Sequence, residues 1–382
     1  MKSLEIPRKV VWGQDAFEEF QNILRERRWK RVLVITDRGV QKAGLLALLE
    51  ESLQKEGTGY EVVADIPAEP SWMALDAALK EARKTGGEAV IAVGGGSTMD
   101  AAKLFAAMLD SSLSVLEVVR DSGLLSKRLP LVMIPTTCGT GSEATCNAIV
   151  AVPEEKIKIG VVNPVLIPDY VILEPEMIRK LPKSILAATG MDALAHCVEC
   201  YTSRKANLLS DLYAGAGAKL LFENLRTAYE EEVDLSVYAM LQLGAFYGGV
   251  AITGSGTTAV HALSYPLGGR YHIPHGISNA ILFAPVMYRN EEACREELAR
   301  LCVFCWPQCQ GWEKKEQSRW VLKKLEELVQ ALEIPDTLKE FGVQADDLEE
   351  LAEAGSQVRR LLDNNKRALC REEIREIYAG LL

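Results

Sequence analysis

The chain has 382 residues, enough for two domains of ordinary size, and its 48% hydrophobic content is ample for buried cores, which excludes a disordered protein. A formal net charge of -10 argues against a nucleic-acid binder, whose affinity would rest on a basic face. No uninterrupted apolar run is expected to span a membrane and the first residues carry no signal-peptide core, so a cytoplasmic protein is expected.

In the first half, apolar β-branched runs alternate with helical patterns. Arg31–Thr36 reads as a strand ending at Asp37, followed by a Leu-rich helix near Gly44–Lys55. Tyr60–Ala64 is the next strand and Ser71–Thr85 the next helix. Glu88–Val93 then reads as a buried parallel strand, with Gly94-Gly95-Gly96-Ser97 directly after it and strong helix formers beyond. A glycine turn between strand and helix lets backbone amides approach an anion, and the helix N-terminus adds partial positive charge, so a diphosphate is the natural guest. The spacing is not Gly-x-Gly-x-x-Gly, which weakens an ordinary Rossmann reading. Leu131–Ile134 is a further strand leading into the small-residue loop Pro135–Glu143, and strand-like pieces follow between Lys158 and Leu173. Strands alternating with helices predict βαβ units and a parallel sheet. Asp37, at the end of its strand, could accept hydrogen bonds from adenosine ribose hydroxyls and repel the extra phosphate of NADP; it could equally cap a helix.

After Pro182 the pattern is helical almost throughout, so the expected division is an α/β domain over 1–183 and a helical domain over 184–382. All four histidines, His196, His261, His272 and His275, lie in this second half. Asp192 and His196 are four residues apart and share a helix face, so they could grip one ion, with His261 and His275 completing the shell. One carboxylate and several imidazoles suit a divalent iron or zinc ion with a position left open for substrate. Taken alone, Asp192 and His196 could equally serve capping or packing.

The nine cysteines are an odd number in a large chain without an export signal, and reduced thiols are the default. Cys197-Val-Glu-Cys200 and the group Cys302, Cys305 and Cys309 lie in helical pattern rather than in the knuckle turns of zinc ribbons, so buried free thiols are expected.

Five ordered motifs carry a resemblance that covers essentially the whole chain. They are Gly94-Gly-Gly-Ser97-x-x-Asp100-x-x-Lys103, Pro135-Thr-Thr-x-Gly-Thr-Gly-Ser-Glu143, Gly190-Met-Asp192-Ala-Leu-Ala-His196, His261-Ala-x-x-x-Pro-Leu-Gly-Gly269 and Ile273-Pro-His275-Gly276. Together with the tail around Pro335–Val343 they resemble the iron-dependent (group III) alcohol dehydrogenases, relatives of glycerol dehydrogenases and dehydroquinate-synthase-like enzymes. The resemblance implies a dinucleotide-binding α/β domain with a parallel sheet, an all-α C-terminal domain and an active site in the cleft. It places the metal on Asp192, His196, His261 and His275, the nicotinamide dinucleotide along Gly95, Gly96 and Ser97 with Thr136, Thr137 and Thr140, and a cofactor contact on Lys158. Two positions depart from the family pattern: Tyr265 stands where several members have a further histidine, and Glu69 stands where many have an asparagine before proline.

The expected enzyme is therefore an NAD-dependent alcohol dehydrogenase, with NADP the alternative cofactor, Fe2+ the expected metal and Zn2+ its alternative. It would act on a primary alcohol or aldehyde as a homodimer or higher homo-oligomer, with no nucleic-acid or membrane partner. His272 is the candidate for proton transfer, because an unperturbed histidine titrates near neutrality; it could equally serve only to hydrogen-bond the cofactor or the backbone. The alternatives are a hydroxy-acid dehydrogenase acting on a compound such as 4-hydroxybutyrate, a non-redox cyclase of the same superfamily, and a non-catalytic metal-binding protein. Arg270 is the only cation near the ligands in sequence that could meet a substrate carboxylate, but it reads as a surface arginine, so neutral primary alcohols are expected to be used more efficiently than 4-hydroxybutyrate.

Overall fold

The computed structural model describes residues 4–155 and 157–382, which divide into two compact units. One comprises Glu5–Lys180 together with Asp234–Leu243, and the other Leu181–Val233 together with Gly244–Leu382. The short later stretch groups with the first unit for a visible reason. Trp12 Nε1 donates to the Ala239 carbonyl at 3.0 Å, and Gln242 Nε2 donates to the Pro135 carbonyl at 3.4 Å.

The first unit is built on strands β1 (Lys9–Trp12), β2 (Arg31–Ile35), β3 (Gly59–Val63), β4 (Val90–Gly94), β5 (Leu131–Pro135), β6 (Asn147–Val152), β7 (Ile157–Val162) and β8 (Tyr170–Leu173). Six of them form one sheet in the order β1-β8-β5-β4-β2-β3, and every pairing within it is parallel. β4 and β5 are buried along their whole length, as continuous apolar runs covered on both faces should be. Phe20, Ile23, Leu49 and Leu53 pack from flanking helices onto Val34, Ile91, Ile134 and Ile172 of the sheet. Burial of this kind stabilises by roughly 1.5–3 kcal/mol per large apolar side chain.

Chain order reverses between β2 and β4: the chain steps from β2 out to β3, then returns to the other side of β2. In an open α/β sheet the crevice beyond the C-terminal strand ends at such a point is where ligands bind. Asp37 follows β2 and the glycine turn follows β4, so the fold sets both at that switch point. Two strands lie outside the sequence reading. β1 is only four residues long and pairs at the sheet edge, and β6 forms an antiparallel hairpin with β7 away from the main sheet.

The second unit is helical, with long helices at Lys183–Thr202, Leu208–Glu230, Ala259–Tyr271, His275–Cys305 and Lys314–Ala331. Leu235–Ser255 is long and apolar enough to cross a membrane by length and composition, which the sequence reading had not anticipated. Its polar and small positions are those of a packed core helix. Gln242 is buried, and a Cβ at Gly244 or Gly248 would press on Leu221 or on the Cys197 sulfur. Among the described residues no disulfide is formed; Cys197, Cys200, Cys294, Cys302, Cys305 and Cys309 are buried, and burial pushes the Cys305 thiol up to about 12.

Candidate active site

The Lys183–Thr202 helix is almost wholly buried from Leu186 onward, so the two carboxylates and the imidazole it carries there must be compensated. Asp192, His196 and Glu199 stand at i, i+4 and i+7, one face of the helix. His261 comes from the first turn of the Ala259–Tyr271 helix, and His275 opens the His275–Cys305 helix. Gly276 explains how that second start comes so close: a Cβ there would stand 2.3 Å from the Ala188 carbonyl oxygen. Only glycine lets the two backbones approach at this distance.

Asp192 Oδ1 is the hub. The Nε2 atoms of His261, His196 and His275 lie 3.4, 3.8 and 3.8 Å from it. Asp192, His261 and His275 form the tightest set, with one ligand atom from each inside a 4.8 Å span. His196 stacks on the His261 ring at a centroid distance of 4.6 Å without joining that set. His261 Nε2 is buried and has no hydrogen-bond partner, which is costly unless an ion or proton satisfies it. A divalent cation fits this donor set in charge, ligand type and spacing.

Two buried residues outside the sequence reading hold the cluster. Glu199 is fully buried and accepts from His261 Nδ1 through one oxygen. Its other oxygen accepts from Thr258 N (3.1 Å), Thr258 Oγ1 (2.6 Å) and Val260 N (2.7 Å), so one carboxylate both caps the helix and orients its first histidine. Asn279, one turn after His275, donates to Asp192 Oδ1 at 2.7 Å. The sequence carried a signal for each: a glutamate seven residues after Asp192 in an otherwise apolar run, and an asparagine at i+4 from His275.

The electrostatics follow from burial and these partners. Burial disfavours the Asp192 carboxylate, but His196, His275 and His261 together hold it below the usual carboxylate range. Burial likewise disfavours the His261 cation, yet Glu199 and Asp192 on either side push it up to about 9. His196 is not so compensated, and burial brings it down to about 4.

His272 and Arg270 are not drawn into this cluster. His272 is exposed and ends the Ala259–Tyr271 helix with a left-handed φ of 54°. Arg270 is exposed and engaged twice, with Asp347 at 2.9 Å and Glu350 at 2.6 Å, in keeping with a surface arginine. Arg360 instead acts on the hydroxyl of Tyr265, whose ring lies 6.0 Å from that of His275, and its positive charge favours the phenolate. Burial still leaves the Tyr265 hydroxyl raised above its ordinary range.

In the other unit the residues expected at the dinucleotide come together at the strand ends. The Gly96–Met108 helix is capped by Gly95 with no side-chain bond, so its first amides are not used within the helix or by its cap. A Cβ on Gly96 would stand 2.7 Å from Thr140 Cγ2, and one on Gly95 would touch Thr137 Cγ2 at 3.5 Å. The glycine turn and the Thr136–Thr140 loop are thus interlocked, and Thr136 N also bonds the Gly94 carbonyl at 3.0 Å. This chemistry fits a diphosphate. Asp37 does cap a helix: Oδ1 accepts from Val40 N at 3.0 Å, and Oδ2 from Thr98 Oγ1 at 3.2 Å. Lys158 pairs with Glu69, whose own N–H donates to Ser97 Oγ at 3.0 Å.

Residues 7–175 match the model of iron-containing alcohol dehydrogenases, and residues 186–382 match the C-terminal region of the same family. The long-chain-alcohol dehydrogenase 1 of Geobacillus thermodenitrificans is 35% identical, over 97% of this chain and 93% of that protein. An iron-containing alcohol dehydrogenase from Thermotoga maritima superposes with a TM-score of 0.86 at 30% identity, covering 100% of this chain and 99% of its own. A sulfoacetaldehyde reductase from Bifidobacterium kashiwanohense, solved with NAD+, shares the fold with a TM-score of 0.89 at 23% identity, over 100% of this chain and 98% of that one.

Proposed function

Because the chain belongs to the iron-containing alcohol dehydrogenase family and is an oxidoreductase of that family, we propose that it interconverts a primary alcohol and its aldehyde with NAD, using a divalent metal held by Asp192, His196, His261 and His275. The observation that carries this reading is the buried, unpartnered His261 Nε2 facing Asp192 with His275 beside it. A bound divalent ion would supply Lewis-acid polarisation of the substrate oxygen, and nicotinamide would supply hydride acceptance and donation.

The chain's own residues do the rest. Glu199 holds the proton on His261 Nδ1, which leaves Nε2 as the donor atom. Asn279 holds Asp192 Oδ1 in place by donating to it. The amides at the start of the Gly96–Met108 helix, together with Thr136, Thr137 and Thr140, receive the dinucleotide's diphosphate, and Lys158 adds a positive charge. Asp37 sits at the switch point, where it would favour NAD over NADP. His272, exposed at a helix end, remains the residue proposed for proton transfer. Thiols that form no disulfide among the described residues fit a cytoplasmic setting.

One observation favours a second reading, in which the substrate is a hydroxy acid. Arg360 forms no ion pair among the described residues, and its charge acts on the hydroxyl of Tyr265, whose ring lies beside that of His275, so a substrate carboxylate could meet it there. The test is a panel of alcohols and hydroxy acids assayed with NAD and NADP on enzyme stripped of metal and reloaded with Fe2+ or Zn2+. Activity that does not depend on any metal would remove the proposal.

A further inference from the structure

Glu69 lies on a segment whose position is set by backbone register. The Pro70 carbonyl accepts from Ala151 N at 3.0 Å, Ser71 bridges to Ala151, and Ala151 is the cross-strand partner of Lys158 in the β6–β7 hairpin. These links bring Glu69 beside Lys158, and Glu69 Oε1 meets Lys158 Nζ at 2.5 Å. Through its own N–H the same residue is tied to Ser97 Oγ, on the helix turn that follows the glycines. Glu69 also adopts a left-handed φ of 49°, a conformation that asparagine and glycine accept more readily than glutamate.

We propose that Glu69 is a positioning residue that weakens dinucleotide binding by engaging the Lys158 ammonium and by placing a negative charge beside the glycine turn. The inference rests on the reading that Lys158 and this turn hold the cofactor. The side chain of Lys158 is 18% exposed and that of Glu69 is 43% exposed, so the carboxylate is the partner with room to swing away. When a diphosphate arrives, Lys158 must leave or share its ion pair, and the cofactor's negative charges meet Glu69. Both effects favour release of the cofactor, and both weaken as salt screens them. Removing the carboxylate frees Lys158, relieves the repulsion and, in an asparagine variant, suits the backbone better.

NADH fluorescence titration of Glu69→Gln, Glu69→Asn, Lys158→Ala and the Glu69→Gln/Lys158→Ala double variant tests this directly, each at low and high salt. Both Glu69 variants are expected to bind NADH about three- to tenfold more tightly, with a steeper loss of affinity as salt rises. Lys158→Ala should bind more weakly, and adding Glu69→Gln to it should recover less than the single change gains. If Lys158→Ala weakens binding while the Glu69 variants bind no more tightly than wild type, the inference fails and the cofactor reading stands. If Lys158→Ala leaves NADH affinity unchanged, the placement of Lys158 at the cofactor fails and takes the inference with it. Equal gains from Glu69→Gln with and without Lys158 would also overturn the role assigned to the ion pair.

Discussion

The Glu199 carboxylate accepts from His261 Nδ1 across 62 residues of chain, and its second oxygen closes the N-terminus of the helix that carries His261. One buried side chain therefore fixes the ring's position, its tautomer and the start of its helix. Truncating it would leave three donors and an imidazole without a partner in a buried setting.

Glu199→Gln keeps the shape but cannot hold the Nδ1 proton as a carboxylate does. Metal affinity is expected to fall by about ten- to a hundredfold, the usual effect of losing a residue that orients a ligand. Asn279→Ala should act in the same direction through Asp192. Competition titrations with a chelator measure both; wild-type affinity in Glu199→Gln would show that the carboxylate serves the helix end only.

His261→Ala and His275→Ala should each abolish turnover and strip most of the bound divalent metal while circular dichroism remains native. Each removes a nitrogen from the tightest donor set. Elemental analysis of purified variants gives the answer, and a full metal complement with normal rate in either would exclude that residue from the shell.

Asp37→Asn separates the two roles of this residue. Asparagine caps a helix about as well as aspartate, so the bond to Val40 N survives and the melting temperature should change little. The negative charge is lost, and the ratio of NADP to NAD efficiency is expected to rise. An unchanged ratio would limit Asp37 to capping.

Glu143 gives a pH dependence of stability. Burial pushes its carboxyl up to about 7, against its own backbone N–H and the nearby Lys103. A carboxyl raised on folding contributes its stability below its unfolded pKa and loses it as pH climbs through the folded value. Glu143→Gln should therefore melt higher than wild type near pH 8 and lose that advantage as pH falls from about 7 to below about 4.5. Thermal melts across this range would reject the assignment if the two curves ran parallel.

Butanol should be used more efficiently than 4-hydroxybutyrate, and Arg270→Ala should leave that ratio within about twofold, because Arg270 already has two carboxylate partners. A strong preference for the acid that disappears in Arg360→Ala would instead promote the hydroxy-acid reading.

Local sequence patterns specify the parallel α/β half, the helical half and the glycine turn, and they point to Asp192, His261 and His275, which the fold brings into one cluster. Those features are written in local patterns: β-branched runs, helix formers after Pro182, and Asp192–His196 at one helical turn. Tertiary structure alone decided what surrounds them. Glu199 and Asn279 become part of the site because buried helices far apart in sequence bring unpaired donors and acceptors together, and no local pattern announces a partner dozens of residues away. The Glu69–Lys158 pair likewise depends on hairpin register, and Arg270 is tied up by acids from a later segment. Charge and hydrogen-bond satisfaction in the interior are properties of who meets whom, which packing settles after the local elements have formed.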